Sequence, residues 1–163
     1  MAGRGATGGR DFVSVLSGRL GARIINAGRN GDTTRTALAR LNRDVLSRDP
    51  RVVIIVLGGN DFLRRVPVDE TFHNLSTIVT NIRERGAATV LAGVSVGLLS
   101  DPYAARYEAL ASETSSGLVP DTLGGLIGRS HLMSDAIHPN DQGYRMIADR
   151  LEPALRDLLS AED

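Results

Sequence analysis

Three short aliphatic runs alternate along the chain with longer segments in which apolar residues recur every three or four positions. The runs are Ala22 to Asn26, Arg51 to Gly59 and Ala88 to Val96. Near-continuous Val, Ile and Leu runs of this length are typical of strands buried on both faces, and each run leads into a glycine-rich or polar loop. The pattern therefore predicts a parallel sheet, with Gly117 to Asp121 as a weaker fourth strand.

The segments between these runs have the periodicity of amphipathic helices. Helices are predicted over residues 33–47 behind a Thr33/Thr34 cap, 69–85 behind an Asp69 cap, and about 140–159 with Asn140 as its cap. A further helix is predicted over "DFVSVLSGRL". Strands and helices alternate without a linker or an internal repeat, which predicts one three-layer α/β/α domain over residues 1–163. In such folds ligands bind beyond the carboxyl ends of the strands, so the loops that follow the strands should carry the site.

Composition narrows the class of function. The 163 residues carry 19 basic and 19 acidic side chains, and this balance argues against nucleic acid as a partner. There is no cysteine, which excludes disulfides, zinc–thiolate sites and a thiol nucleophile. No apolar run approaches the roughly 20 residues that span a bilayer. All the basic residues are arginine, which indicates a GC-rich bacterial genome, and cytoplasmic or secreted location and oligomeric state both stay open.

The segment "SDAIHPNDQGY", Ser134 to Tyr144, places Asp135 three residues before His138. In such a pair the carboxylate can orient the imidazole, which then takes a proton from a nucleophile. The alternatives are a loop carboxylate beside a surface histidine, or a metal site that also uses His131, although this spacing matches no common metal motif. The pair predicts a general base and its partner acid.

Two other strand-to-helix loops carry possible hydrogen-bond donors. In "NAGRNGDTT" Gly31 precedes a helix and can offer its backbone N–H to an anion. In "GGND" the Asn60 amide can donate from the tip of the sheet. Gly31 could equally be only a turn residue and Asn60 an Asx-turn residue. Together with the acid–base pair, the two donors would form an oxyanion hole.

The loop after Asn60 is the place where a substrate pocket is expected. Phe62, Leu63 and Val66 could line an acyl pocket there, and Arg64 or Arg65 could meet an anionic group. Phe62 and Leu63 could instead only pack against the next helix. A short chain with brief loops favours small acyl esters, thioesters and acetylated sugars over long triglycerides.

The three loop motifs together resemble blocks of the SGNH hydrolases, also called the GDSL esterase/lipase family, in its compact thioesterase-like bacterial type. The resemblance implies a flavodoxin-like parallel sheet and hydrolysis of esters or thioesters by a Ser-His-Asp triad without metal or cofactor. Carried over, it makes Gly31 and Asn60 the oxyanion donors, His138 the general base and Asp135 its partner.

The sequence departs from the family at the nucleophile. The Gly-Asp-Ser-Leu block and its central first strand are not found, and "MAGRGATGGRDF" resembles the stretch that follows that block. Ser14 and Ser17 are weak substitutes because they lie in a predicted helix, where solvent or packing roles are expected. Ser95 follows the third strand but has no glycine elbow around it. We therefore expect an N-terminally truncated hydrolase domain that is inactive as printed.

Two other classes of function stay open. One is a pseudo-hydrolase that binds acyl or acetylated ligands without cleaving them. The other is a phosphate- or nucleotide-binding module that uses "GRNGDTT", although this loop lacks the lysine of a P-loop.

Overall fold

The computed structural model describes residues 2–95 and 101–160, in which helices and parallel strands alternate. The predicted end of the third strand at Val96 lies outside these residues. The strands are β1 (Val52–Ile55), β2 (Ala88–Ala92) and β3 (Gly117–Val119). The helices are α1 (Phe12–Leu20), α2 (Thr34–Asp44), α3 (Gly59–Leu63), α4 (Val68–Arg83), α5 (Pro102–Thr114) and α6 (Asp141–Ser160), with 3₁₀ turns at Leu46–Arg48 and Ser130–Leu132.

The chain groups into two compact units. The first comprises Met1–Asn30 and Thr122–Asp163, and the second comprises Gly31–Asp121. The expectation of one domain over residues 1–163 stays a prediction. None of the helices in the described part of the chain is long and apolar enough to cross a membrane.

The second unit holds the sheet, in the order β1-β2-β3 with both pairs parallel. The predicted α/β class with a parallel sheet is confirmed. Strand β2 is buried from Thr89 onward, whereas β1 is buried only at Ile55. Helices α4 and α5 pack on one another, and α4 and α5 contact β2 and β3 respectively. The core of this unit is formed by buried apolar residues of the sheet, of α2, α4 and α5, and of the segments next to them: Ala37, Leu41, Leu46, Ile55, Phe72, Leu75, Ile78, Val79, Ile82, Ala87, Leu91, Tyr103, Tyr107, Leu110 and Ala111.

The first unit is built on α1 and α6, which pack against each other. The rings of Phe12 and Tyr144 stack with centroids 6.2 Å apart. Asp11 caps α1 by accepting hydrogen bonds from Val13 and Ser14. The buried apolar residues of this unit include Leu16, Leu126, Leu132, Ile147, Ala148, Leu151 and Leu155.

The predicted strand Ala22 to Asn26 is wrong, because residues 22–29 have no regular secondary structure. A strand needs a neighbour to pair its backbone N–H and C=O groups, and among the described residues this segment is in no ladder. Ile25 is accordingly 41% exposed. Without a pairing neighbour among the described residues, the aliphatic run stays irregular.

Helix starts agree with the sequence signals in two of three places. Thr33 caps α2 in a reciprocal capping box with Thr36. Asn140 accepts the N–H groups of residues 142 and 143 at the start of α6. The Asp69 cap is wrong, because α4 already begins at Val68 behind Pro67 and Asp69 falls in its first turn. Pro67 is the N-cap residue, and the acidic side chains of Asp69 and Glu70 in the first turn complement the helix dipole.

Candidate catalytic residues

The segment 132–140 forms a closed loop in the first unit. An isolated antiparallel bridge joins Met133 and Pro139. The Ser134 N–H donates to the His138 carbonyl at 2.8 Å, and the Asn140 N–H donates to the Leu132 carbonyl at 2.9 Å. Backbone pairing at both ends of the loop therefore fixes where the Asp-x-x-His pair stands.

Gly143 lets the first turn of α6 approach this loop. A Cβ at that position would lie 2.4 Å from the Leu132 carbonyl oxygen and 2.8 Å from the Pro139 Cβ. No side chain fits at such distances, so the glycine of "NDQGY" is required by packing.

Within the loop, the Asp135 carboxylate contacts the His138 ring directly. Nδ1 of His138 lies 2.8 Å from Oδ1 and 2.7 Å from Oδ2 of Asp135. The same carboxylate accepts the backbone N–H groups of Ile137 and His138 at 2.9 and 2.8 Å. The Ile137 N–H contributes most, followed by the His138 side chain, and these hydrogen bonds lower the pKa of Asp135 from 3.8 to about 2. The carboxylate is therefore charged at neutral pH.

A charged carboxylate only accepts hydrogen bonds, so in the neutral imidazole the proton lies on Nδ1 and Nε2 carries the lone pair. Nε2 has no partner among the described residues. The His138 side chain is 23% exposed. The pair thus has the orientation that a general base needs, with its basic nitrogen available.

The "GGND" segment lies in the second unit, where it turns from β1 into the short helix α3. Gly58 has φ +107°, and a Cβ there would lie 2.4 Å from the Tyr107 hydroxyl oxygen. That hydroxyl donates to the Leu57 carbonyl at 2.5 Å. Burial raises the pKa of Tyr107 well above its usual value, so it remains a donor. The turn therefore requires glycine at position 58.

Asp61, which sequence reasoning did not single out, anchors the same segment from within the core. Its side chain is fully buried, and its carboxylate accepts the Thr34 N–H at 3.0 Å and the Thr34 hydroxyl at 2.6 Å. Asn74 donates to the Thr34 hydroxyl at 3.2 Å. A carboxylate at a helix N-terminus is favoured by the helix dipole, so Asp61 ties α3 to the start of α2.

Both predicted oxyanion donors keep a hydrogen to offer. The Asn60 amide donates to the Asp32 carbonyl at 2.9 Å, which uses one of its two hydrogens. Gly31 has φ +81° and is exposed, and its N–H has no acceptor among the described residues. The second unit therefore holds two available donors, at positions 31 and 60.

Phe62 and Leu63 lie on α3 with substantial exposure. Phe62 is 39% exposed and packs edge-on against Tyr103, with ring centroids 6.1 Å apart. Leu63 is 57% exposed. Phe62 therefore packs partly against α5, and both side chains offer apolar surface to solvent.

The serines considered as substitute nucleophiles are engaged elsewhere. Ser14 donates to Asp11 at 2.8 Å, within the cap of α1. Ser17 donates to a backbone carbonyl at 2.7 Å, and Ser95 donates to Asp101 at 2.7 Å. Each of these hydroxyl groups donates its hydrogen to a nearby acceptor.

A metal site formed with His131 was an alternative interpretation of the Asp135–His138 pair. Among residues 2–95 and 101–160, no group of three His, Asp or Glu side chains is arranged to hold a metal ion. His131 takes part in the loop through its backbone carbonyl, which accepts from the Asn140 amide at 2.9 Å.

Comparison with known proteins shows the family. A model of the GDSL-like lipase/acylhydrolase family matches residues 1–146. The chain belongs to this family. It is thereby an ester hydrolase by family, and the SGNH resemblance of the three motifs is confirmed.

Individual relatives agree with this assignment. Esterase TesA of Pseudomonas aeruginosa is 31% identical over 159 residues, which cover 91% of this chain and 79% of that protein. Thioesterase 1/protease 1/lysophospholipase L1 of Escherichia coli K12 is 29% identical over 143 residues, covering 84% and 69%. The crystal structure of TesA superimposes with a TM-score of 0.89 at 30% identity, over 96% of this chain and 93% of that one.

Proposed function

We propose that this chain carries the acid–base pair and the oxyanion donors of a serine ester hydrolase, and that its nucleophile stands on a strand outside the 163 residues. In this scheme His138 is the general base, Asp135 orients it, and Gly31 and Asn60 stabilise the oxyanion. The observation that carries the proposal is the His138–Asp135 contact of 2.7 Å, which leaves Nε2 without a partner among the described residues.

The chemistry follows from the protonation states. A serine hydroxyl hydrogen-bonded to Nε2 would transfer its proton to His138 as its oxygen attacks the ester carbonyl. The charged Asp135 would stabilise the imidazolium that forms. His138 would then give the proton to the leaving alcohol or thiol, and water would release the acyl group by the same steps. Donors at Gly31 and Asn60 would lower the energy of the negatively charged tetrahedral intermediates.

The free edge of the described sheet supports the place that we propose for the strand with the nucleophile. β1 pairs only with β2 in the described sheet, and the Arg51 carbonyl accepts the Ala88 N–H at 2.8 Å. Successive residues of a strand direct their backbone N–H and C=O groups to opposite sides. Since the Arg51 carbonyl points towards β2, the N–H and C=O groups of Val52 and Ile54 point away from it. A parallel strand added along this edge would extend the ladder and cover β1, whose first three residues are only half-buried.

The substrates we propose are small esters and thioesters. The relatives named above are an esterase and a thioesterase. The exposed apolar surface of Phe62 and Leu63 is the part of the chain that we assign to the acyl group.

The test is to compare the 163-residue chain with a longer chain that carries about ten to fifteen added N-terminal residues, a hydrophobic strand ending in Gly-Asp-Ser-Leu. The printed chain should not turn over p-nitrophenyl acetate, and the longer one should. The added strand should also raise the melting temperature, since each aliphatic side chain it buries contributes roughly 1.5 to 3 kcal/mol.

A longer chain with Gly-Asp-Ala-Leu in place of Gly-Asp-Ser-Leu is the matched control, because it keeps the strand and removes only the hydroxyl. It should be as stable as the serine form and inactive. In the serine form, His138→Ala should abolish turnover and Asn60→Ala should reduce it roughly 10²- to 10³-fold. A serine form that melts no higher and stays inactive would contradict the proposal and favour a non-catalytic binding protein.

A further inference from the structure

The Arg64 side chain lies over Gly31 in the second unit. A Cβ at Gly31 would be 3.3 Å from Nη2 of Arg64, and no other group outside its chain neighbours lies within 4 Å of that position. Arg64 is the C-cap residue that follows α3, and it is exposed. One guanidinium therefore stands beside one of the two proposed oxyanion donors.

The acidic side chains next to Gly31 and Asn60 in the sequence do not neutralise this charge. Asp32 binds Arg40 through contacts of 2.5 and 2.9 Å, with both side chains largely buried. Asp61 is buried and accepts from Thr34. Arg64 itself has no acidic partner in the described part of the chain. Its positive charge is thus available to a ligand.

The geometry points to Arg64 as a specificity residue that binds a carboxylate carried by the ester substrate close to its carbonyl group. This inference rests on the proposed function, because Gly31 marks where the carbonyl oxygen would be held. A single guanidinium offers two parallel N–H donors, which match the two oxygens of one carboxylate. Phosphate carries more charge and is usually held by several donors, whereas one guanidinium stands here.

Arg65, the next residue, provides a matched control. It is also exposed, and it adopts φ +57°, a left-handed conformation that differs from that of Arg64. Arg64→Gln and Arg65→Gln remove the same charge from adjacent positions. If only net charge matters, both variants should lose the same affinity for a carboxylate. If the carboxylate binds beside Gly31, only Arg64→Gln should lose it.

The experiment uses the 163-residue chain labelled with ¹⁵N and two ester probes, monomethyl succinate, which carries a carboxylate, and dimethyl succinate, which does not. Monomethyl succinate should shift the signals of the Gly31 amide and the Arg64 Nε–H and should bind about three- to tenfold more tightly than the diester. Arg64→Gln should remove this preference, and Arg65→Gln should retain it. Acetate and inorganic phosphate at equal ionic strength are further probes, and acetate should shift the same signals more than phosphate.

Several results would overturn the inference. They are equal binding of the two esters, no saturable shift with either, a stronger response to phosphate than to acetate, or loss of the preference in Arg65→Gln. A fall in diester affinity in Arg64→Gln would also contradict it, since Arg64 would then act on the ester itself. None of these titrations needs a nucleophile, so an inactive longer chain with an intact carboxylate preference would disprove the proposed function and leave only carboxylate binding at Arg64 supported.

Discussion

Two regions, the histidine loop (residues 132–140) and the asparagine segment (residues 58–61), position their side chains by different means. The Asp135–His138 pair stands on a loop whose contacts are mostly solvent-exposed, and the Asp135 side chain is 48% exposed. Asn60 stands beside a fully buried carboxylate, on a turn that Tyr107 closes from the core. One region is held by local hydrogen bonds near the surface, and the other by long-range bonds inside the protein.

This difference suits the two tasks that we propose. A general base exchanges protons with substrate and water, so some exposure is compatible with its role. An oxyanion donor is effective when it is already fixed before charge develops, because no energy is then spent on reorienting it. We therefore expect the asparagine segment to depend strongly on the core and the histidine loop to depend little on it.

The largest difference in stability between the two regions should appear when Asp61 or Asp135 is changed to asparagine. Asp61→Asn replaces a buried acceptor with a group that brings an N–H₂ donor towards the Thr34 N–H, and should lower the free energy of unfolding by about 2 to 3 kcal/mol. Asp135→Asn, at a half-exposed site, should lower the free energy of unfolding far less than Asp61→Asn does. Urea unfolding at neutral pH measures both. Equal losses in the two variants would contradict the comparison.

Gly58→Ala should give the next largest effect. The new Cβ would meet the Tyr107 hydroxyl at 2.4 Å and would also adopt an unfavourable positive φ, which should together cost about 1 to 3 kcal/mol. Gly86→Ala is the matched control, because Gly86 has φ +81° and open space around its Cβ position. Gly86→Ala should lower the free energy of unfolding by less than Gly58→Ala, because the positive φ is unfavourable at both positions but only Gly58 has a clash. Equal melting temperatures for the two variants would show that Tyr107 does not restrict the turn.

The titration of Asp135 should show the smallest effect. Its pKa in the folded protein is lowered from 3.8 to about 2, so its contribution to stability is complete above pH 3.8 and is lost as the pH falls through about 2. The side-chain carbonyl carbon signal, followed by NMR, should have its midpoint near pH 2. Because the Ile137 N–H is the first cause of the shift, His138→Ala should raise the pKa only part of the way to 3.8. A midpoint near 3.8 in the unmodified chain would contradict the loop geometry.

The fold was predictable from sequence where a segment carries its own signal. The runs that became β1, β2 and β3 have both aliphatic composition and neighbours in the described chain, whereas Ala22 to Asn26 has the composition alone and is irregular. Helix α5 was not predicted, although Asp101 and Pro102 give a clear start signal and Tyr103, Tyr107, Leu110 and Ala111 are buried on one face.

The contacts of the candidate site were likewise predictable only where the two residues are close in the sequence. Asp135 and His138 are three residues apart, so the sequence itself predicts their contact. The contact of Asp61 with Thr34 spans 27 residues, and that of Tyr107 with Leu57 spans 50. Pairs so far apart are joined only by the fold, and no local motif reveals them. Arg64 could be named from the sequence together with Arg65, but only the structure separates them, by placing Arg64 against Gly31.

The most direct test of the central claim is covalent labelling of the chain by a serine-directed fluorophosphonate, followed by intact-protein mass spectrometry. The claim is that His138 is the general base for a serine on the added strand. The account predicts no adduct on the 163-residue chain and one adduct on the longer Gly-Asp-Ser-Leu chain, located at the new serine and lost in the longer chain with His138→Ala. A labelled serine in the printed chain, or labelling of the longer chain that persists without His138, would contradict it.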